Sequence, residues 1–432
     1  MTKQPPLIVL DDDPTGAQSE VGVPVALTWE PQVLARIAAT GPRAVHLLTN
    51  CRALAAPAAE VVTREAAGAA VGAFPGAPIF LRGDSTLRAH LLPEYRGLRD
   101  AAFAGREPTL VLVPALPGAG RVTEGGVHYL RCPGERVPVA ATEYARDRDF
   151  GYLSSRLLAW AEERSGGAFD ASRGRELRLA ELREGGPDAV AAALGELAEV
   201  DGAAALALDS VSVADLELVA AGLRRAFAAG AEAIVRCAPA LVGAFAGTRA
   251  EGAVEPPAVD GPVLVLCGSH VPTSSRQLER LLARHPASAV WVRPARLAGA
   301  GREAEVAAAI DAAAARLRGD GLAVVATERD VYAAGDSLAA GAAIATGLAA
   351  ILAGLRDRVG LVVSKGGITS AVNVREGLAA DLAEVRGPLR DGISLWSIDT
   401  PERSALPFVV FPGNVGGEDD LAELVDQIAV AA

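Results

Sequence analysis

Leu7-Ile8-Val9-Leu10-Asp11-Asp12-Asp13-Pro14-Thr15-Gly16 and Leu361-Val362-Val363-Ser364-Lys365-Gly366-Gly367-Ile368-Thr369-Ser370 are built alike. Each is a short apolar run, readable as a buried strand, that ends in a polar, glycine-containing turn. The first turn is acidic and suited to a metal or a proton. The second presents backbone N–H groups suited to phosphate oxygens. Outward from the first loop, strand-like runs at 44–48, 79–81, 109–113 and 204–208 alternate with alanine-rich helical stretches at 33–39, 56–73 and 188–198. Outward from the second, strand-like runs recur at 263–266, 288–292, 322–326 and 408–411. Strands alternating with helices predict an α/β protein of two domains, each a mainly parallel sheet flanked by helices. The segment 149–182 reads as helix. The breaker-rich stretch 247–257 reads as a linker, which predicts domains at 1–250 and 262–432. In such sheets ligands sit beyond the carboxyl ends of the strands, where both opening loops fall, so the active site is expected in a cleft between the domains.

The bulk properties fit this frame. A chain of 432 residues, half of them apolar and 22% charged, has ample material for two cores. A net charge of −12 argues against a nucleic-acid partner, which would need a basic face. Cys51, Cys132, Cys237 and Cys267 are scattered, as expected of a reducing cytoplasm rather than a disulfide framework or zinc site. No leader pattern is visible, and no apolar run reaches the roughly 18 to 20 residues of a membrane span, so a soluble cytoplasmic protein is expected.

Four segments carry chemistry in the first half. In Asp11-Asp12-Asp13-Pro14-Thr15-Gly16, three adjacent carboxylates need a cation or hydrogen-bond donors, although an Asx-turn and helix cap would use the same residues. Arg82-Gly83-Asp84-Ser85-Thr86-Leu87-Arg88 offers two guanidiniums for a carboxylate or phosphate, and Asp84 and Ser85 for hydroxyls. Capping of a following helix is the plainer use of Asp84, Ser85 and Thr86. Pro117-Gly118-Ala119-Gly120-Arg121-Val122-Thr123 is a turn or a substrate wall. The stretch Thr142 to Asp147 carries less. The five histidines, His46, His90, His128, His270 and His285, have no metal-ligand spacing.

In the second half, Cys267-Gly268-Ser269-His270 opens a helix after a strand, as a capped helix or a phosphate loop would. Lys365-Gly366-Gly367-Ile368-Thr369 allows close backbone approach to a ligand, with Lys365 adding charge. Pro412-Gly413-Asn414-Val415-Gly416-Gly417 is a third such loop. Neither a G-x-x-x-x-G-K-[ST] motif nor the protein-kinase signature set occurs.

Taken in order, these motifs resemble the four-carbon acid sugar kinases, which phosphorylate tetronates such as threonate, erythronate or 3-oxo-tetronate with ATP. The resemblance rests on Asp12, Asp13, Thr15 and Gly16; on Asp84-Ser85-Thr86-Leu87-Arg88; on Pro117 to Thr123; and on Gly268-Ser269, Gln277, Lys365 to Thr369 and Phe411 to Gly416. It implies an N-terminal acid-sugar domain and a C-terminal nucleotide domain, with ATP and Mg²⁺ as cofactors. By matching positions, Ser269, Gly366, Gly367, Ile368, Thr369 and Gly413 would contact ATP. Asp11, Thr15, Gly16, Arg82, Ser85, Arg88 and Arg121 would face the acid, with Arg82 and Arg88 clamping its carboxylate. Asp12 or Asp84 would accept the attacking hydroxyl's proton; the metal ligands are not assigned. Arg82, Ala89, Val271 and Ile368 depart from the commoner residues of the family. Two alternatives stand beside this reading: a nucleotide- and acid-binding regulatory protein without turnover, and a sugar-acid lyase or isomerase. The expected partners are a small sugar acid and ATP, without nucleic acid or membrane, and a homodimer is compatible.

Overall fold

The computed structural model describes residues 5–132, 134–329 and 337–430. Its contacts divide the chain into two units. One comprises the chain through Asp12 together with Trp29–Arg249; the other comprises Asp13–Thr28 and the chain from Ala250 onward. This differs from the single division near residue 250 read from the sequence. The acidic loop itself is split, with Asp11 and Asp12 in the first unit and Asp13, Thr15 and Gly16 in the second.

In the first unit, seven strands lie in the order Ala44–Leu48, Leu7–Asp11, Ile79–Arg82, Ala233–Cys237, Thr109–Val113, Ala205–Leu208 and Arg175–Leu177, all parallel. The Leu7–Asp11 strand is buried along its whole length, as expected of a run without polar alternation inside a parallel sheet. It lies between the second and third strands of this sheet in chain order, Ala44–Leu48 and Ile79–Arg82. Its carboxyl end is therefore the switch point where α/β sheets gather ligands. The Ala56–Ala73 helix buries Ala59, Ala66, Ala67 and Ala70, small residues that allow close packing against the Leu91–Ala102 helix. There Gly97 is needed, because a Cβ would lie 2.6 Å from the Glu60 carbonyl oxygen.

The second unit repeats the logic. Its strands run Ala289–Val292, Leu322–Thr327, Val263–Cys267, Leu361–Lys365, Leu406–Phe411, Ile393–Ile398, Leu382–Arg390 and Val23–Ala26. The first five are parallel and the last three join antiparallel. Val263–Cys267 is the switch strand, flanked by Leu322–Thr327 and Leu361–Lys365. Its inward residues Val263, Val265 and Cys267 pack with Leu278 and Leu281 of the Pro272–Arg284 helix and with Val363, Val409 and Phe411. Each such aliphatic side chain contributes roughly 1.5–3 kcal/mol on burial.

One expectation is corrected. Residues 149–182 are not one helix. The Leu157–Ser165 helix stops where Gly166 and Gly167 take φ of 63° and 86°, and the Arg175–Leu177 strand follows before the next helix begins at Leu179. The second sheet is mainly parallel as expected, with an antiparallel edge in which Leu382–Arg390 and Ile393–Ile398 form a hairpin. The first unit also carries a small antiparallel sheet of Arg121–Glu124, Val127–Cys132 and Glu135–Pro138.

Candidate functional site

At the carboxyl ends of the first unit's strands the ionised residues form one buried network. Asp11, 2% exposed, is held by His46 Nδ1 at 2.9 Å and by Arg82 Nε at 2.7 Å. Arg82 also meets Asp12 Oδ1 through Nη1 at 3.1 Å and is itself 2% exposed. Arg82, expected to grip a substrate carboxylate, lays its guanidinium against Asp11 and Asp12. Asp11, expected to face the acid, is bonded at the strand end by His46 and Arg82.

Asp12 is fully buried among three guanidiniums. Besides Arg82, Arg52 Nε lies 3.3 Å from its carboxylate and Arg236 Nη2 lies 3.9 Å away. Arg52 continues to Asp84 Oδ1 at 3.8 Å, so one arginine spans the two candidate proton acceptors. Asp84 accepts from Thr86 Oγ1 and from Arg88 Nε at 2.8 Å. Burial alone would raise its pKa, but Arg88 and Arg52 outweigh burial and hold its carboxyl well below the usual carboxylate range. Arg88 also reaches Asp147 at 3.5 Å and lies over the Tyr144 ring, so the Thr142–Asp147 stretch joins this site.

The turn carrying these groups is tightly held. Leu87 takes φ of 68°, a strained conformation for leucine. The Ser85 carbonyl faces His128 Nε2 at 2.8 Å, and the Thr86 carbonyl accepts from Tyr152 at 2.6 Å. Burial pushes His128 down to about 4, so it is neutral. Its Nε2 carries the proton toward Ser85, and Nδ1 accepts from Thr123 Oγ1 at 2.9 Å. Arg121 bonds the Ala119 carbonyl of its own loop at 2.6 Å. Residues absent from the sequence reading are Arg52, Glu94 and Arg236. Arg236 holds Glu94 Oε2 at 2.7 Å, and Glu94 accepts from Cys51 Sγ at 3.2 Å. A signal existed for two of them. Arg52 stands just beyond a strand end, and Arg236 interrupts the apolar run Ala233-Ile234-Val235.

In the second unit the three glycine loops converge. Gly366 adopts φ 125°, ψ 132°, accessible to glycine alone, and the Gly367–Val372 helix starts from it. A Cβ on Gly268 would lie 3.0 Å from Thr369 Oγ1, and one on Gly413 would lie 2.5 Å from Ser269 Oγ. One on Gly366 would lie 3.5 Å from Ser269 Cβ. Ser274 Oγ donates to the Gly413 carbonyl and shares a hydrogen bond with Ser269 Oγ, both at 2.9 Å. Arg329 donates to the Ser269 carbonyl. Ser269, Gly366, Thr369 and Gly413 are thus brought together, and Ile368 is half-buried on the same turn. Asp13 belongs here: its Oδ2 would lie 2.5 Å from a Cβ on Gly367. Its Oδ1 accepts from Thr15 N at 2.7 Å, and Gly16 N donates to its carbonyl at 3.2 Å. Thr15 and Gly16, expected to face the acid, therefore fold with the glycine-loop unit.

Lys365 departs from expectation. It is fully buried, with Nζ donating to the Pro412 carbonyl and lying 3.9 Å from the centre of the Phe411 ring. Burial lowers its pKa to about 7. It clamps the third glycine loop rather than presenting a charge. Among the described residues no group of three or more His, Cys, Asp or Glu side chains is placed to hold a metal, and no helix is long and apolar enough to cross a membrane.

The sequence matches a sugar-binding N-terminal domain over residues 7–245 and a nucleotide-binding C-terminal domain over residues 264–421. The chain belongs to the four-carbon acid sugar kinase family. Kinase activity, sugar binding and nucleotide binding are thereby given at the level of the family. A D-threonate kinase of Salmonella typhimurium LT2 is 29% identical over 320 residues, covering 72% of this chain and 69% of that relative. Haemophilus influenzae protein HI1011 shares the fold, with a TM-score of 0.65 and 18% identity across 98% of this chain and 100% of its own. A solved structure from Salmonella typhimurium LT2 does so with a TM-score of 0.67 and 18% identity across 97% of this chain and 98% of its own.

Proposed function

We propose that the protein is an ATP- and Mg²⁺-dependent kinase phosphorylating a hydroxyl of a four-carbon sugar acid of the threonate, erythronate or 3-oxo-tetronate class. The observation that carries this reading is the convergence of the Gly268-Ser269, Gly366–Thr369 and Gly413 loops within the unit that matches a nucleotide-binding domain. Such loops bind phosphate through backbone N–H groups without a Walker lysine, which is consistent with Lys365 being turned inward. The other unit supplies what a hydroxy-acid needs. Arg88 and Arg52 attract its carboxylate, and Asp84 and Ser85 bond its hydroxyls.

Phosphoryl transfer asks for positioning and charge neutralisation more than covalent chemistry. Asp12, linked to Asp84 through Arg52, is the proton acceptor for the attacking hydroxyl, and its guanidinium shell keeps it fixed in place. Mg²⁺ is usually held by one or two carboxylates together with phosphate oxygens. Asp13 beside Gly367 fits that donor chemistry and would hold the ion, which when bound offsets phosphate charge.

The test is ADP formation with a panel of four-carbon hydroxy- and oxo-acids. One or more acids should stimulate ADP release, and Asp12→Asn should lower kcat by about 10²–10⁴-fold, the usual contribution of a general base. Nucleotide binding without ADP release on any acid would overturn the kinase reading. Acid conversion without ATP would replace it with a lyase or isomerase.

A further inference from the structure

A pocket in the first unit sets Asp84, already given to the acid's hydroxyls, beside residues that have no role so far. It is lined by Gly83, Asp84, Leu112, Leu157, Trp160 and Arg236, and has room for one group about the size of a water molecule. Leu112 and Leu157 make its apolar side. Two of its lining residues carry donors without a hydrogen-bond acceptor among the described residues. Trp160 is 1% exposed, and its Nε1 has no acceptor among the described residues. An indole N–H can only donate, and a buried one ordinarily finds an acceptor. Arg236 spends Nη1 on Glu94, while Nη2 has no hydrogen-bond acceptor among the described residues, Asp12 Oδ2 standing 3.9 Å away. Nη2 also packs against Gly83, where any Cβ would collide with it, so glycine at this position lets the guanidinium approach the pocket.

The third polar group is the ionised carboxylate of Asp84. Its Oδ2 is taken by Thr86 and Arg88, whereas Oδ1 has Arg52 Nη1 at 3.8 Å and keeps acceptor capacity. Two donors and one acceptor around a water-sized space complement a hydroxyl, which has one proton to give and two lone pairs to receive. A carboxylate would set charge against Asp84, and a methyl group would leave both donors unmet.

We propose that this pocket is a hydroxyl subsite, in which a hydroxyl of the acid other than the one phosphorylated accepts from Trp160 Nε1 and Arg236 Nη2 and donates to Asp84. The proposal rests on the kinase reading of this unit and identifies residues that would recognise the substrate.

The test uses the full-length protein, with acid binding measured by calorimetry without nucleotide and ADP formation measured separately. The probes are D-threonate and erythronate with their monodeoxy analogues, 2,4-dihydroxybutanoate and 3,4-dihydroxybutanoate. In the wild type, one analogue should bind about tenfold or more weakly than its parent, the usual effect of a lost buried hydrogen bond. In Trp160→Phe the parent should weaken about tenfold while that analogue is unchanged, so the discrimination collapses. Equal weakening of parent and analogues, no weakening, or no binding of any acid to the wild type would overturn the subsite. Should Trp160→Phe fail to fold, the wild-type series decides: affinity lost at one deoxy position supports the subsite, and equal affinity of the parent and both deoxy analogues overturns it. Discrimination without ADP release would remove the kinase reading and keep the subsite; ADP release without discrimination would do the reverse.

Discussion

At Gly367 the chain has no room for a side chain. A Cβ there would lie 2.5 Å from Asp13 Oδ2 and 3.1 Å from its Cγ, so Gly367→Ala must displace the carboxylate or the turn. Overpacking of this kind costs about 1–3 kcal/mol. Because the displaced atoms are those assigned to the nucleotide and its ion, the expected result is nucleotide affinity lowered about tenfold or more, with Tm lowered by a few degrees. Calorimetric titration with ADP and with MgATP checks it, and an unchanged affinity would remove Asp13 and Gly367 from the site. Lys365 gives a pH prediction. Its folded pKa of about 7 lies below its ordinary 10.5, so between these values the unfolded chain binds more protons than the folded one, and stability rises with pH. Below about pH 7 both states carry the proton, and the full cost of burying the charge is felt. Denaturant unfolding at pH 6.5 and pH 9 should show a gain in the wild type that shrinks in Lys365→Met. Neither residue's environment could be read from sequence. The Lys-Gly-Gly spacing marks a loop, but the side to which Lys365 turns is set by the Pro412 carbonyl and the Phe411 ring from a strand more than 40 residues away.

The elements that build the site were legible where their signal was local. The fully apolar runs Leu7–Leu10, Val263–Leu266 and Leu361–Val363 stand as buried parallel strands, because nothing but a two-faced sheet accommodates them. Leu382–Arg390 alternates in burial but contains Gly387-Pro388, residues that break a strand pattern, and the pairing bulges there. Its identity as a strand comes from its partners. The Pro272–Arg284 helix holds the loop that begins at Gly413. Its Gln277 is fully buried and donates to the Val415 and Gly417 carbonyls at 3.0 and 2.8 Å, pinning the loop that begins at Gly413. Gln277→Ala should cost about 1–3 kcal/mol of stability, since two buried carbonyls lose a donor. It should also weaken nucleotide binding, because the loop is no longer fixed. A thermal shift and an ADP titration of the variant measure the two effects. Loss of stability with full nucleotide affinity would show that the Val415–Gly417 segment is only scaffold.

On the scale of the whole molecule, the chain leaves the first unit after Asp12, returns at Trp29 and leaves again after Arg249. The sequence shows the last crossing as a breaker-rich linker. The first two carry no such mark, because Asp12-Asp13 and Thr28-Trp29 lie inside ordinary loop composition. This routing gives the second unit a strand that a cut near residue 250 would remove. Val23–Ala26 pairs antiparallel with Leu382–Arg390, Gly22 N and Leu27 N bond the Val385 and Asp381 carbonyls, and Ala250 N bonds the Ser19 carbonyl. A fragment beginning at residue 250 would leave Leu382–Arg390 with an unpaired edge and would lack Asp13, so aggregation and weak nucleotide binding are expected. Supplying residues 13–28 ahead of residue 250 through a flexible glycine-serine linker should improve solubility and nucleotide binding, because the segment restores the partner of Leu382–Arg390 and brings back Asp13. Light scattering and ADP titration of the two fragments decide the matter. A soluble, nucleotide-binding fragment 250–432 would show that the excursion through residues 13–28 is dispensable, whereas rescue by the added segment would show that the acidic loop spans the two units because each needs part of it: the acid-sugar unit keeps Asp12 and the nucleotide unit keeps Asp13.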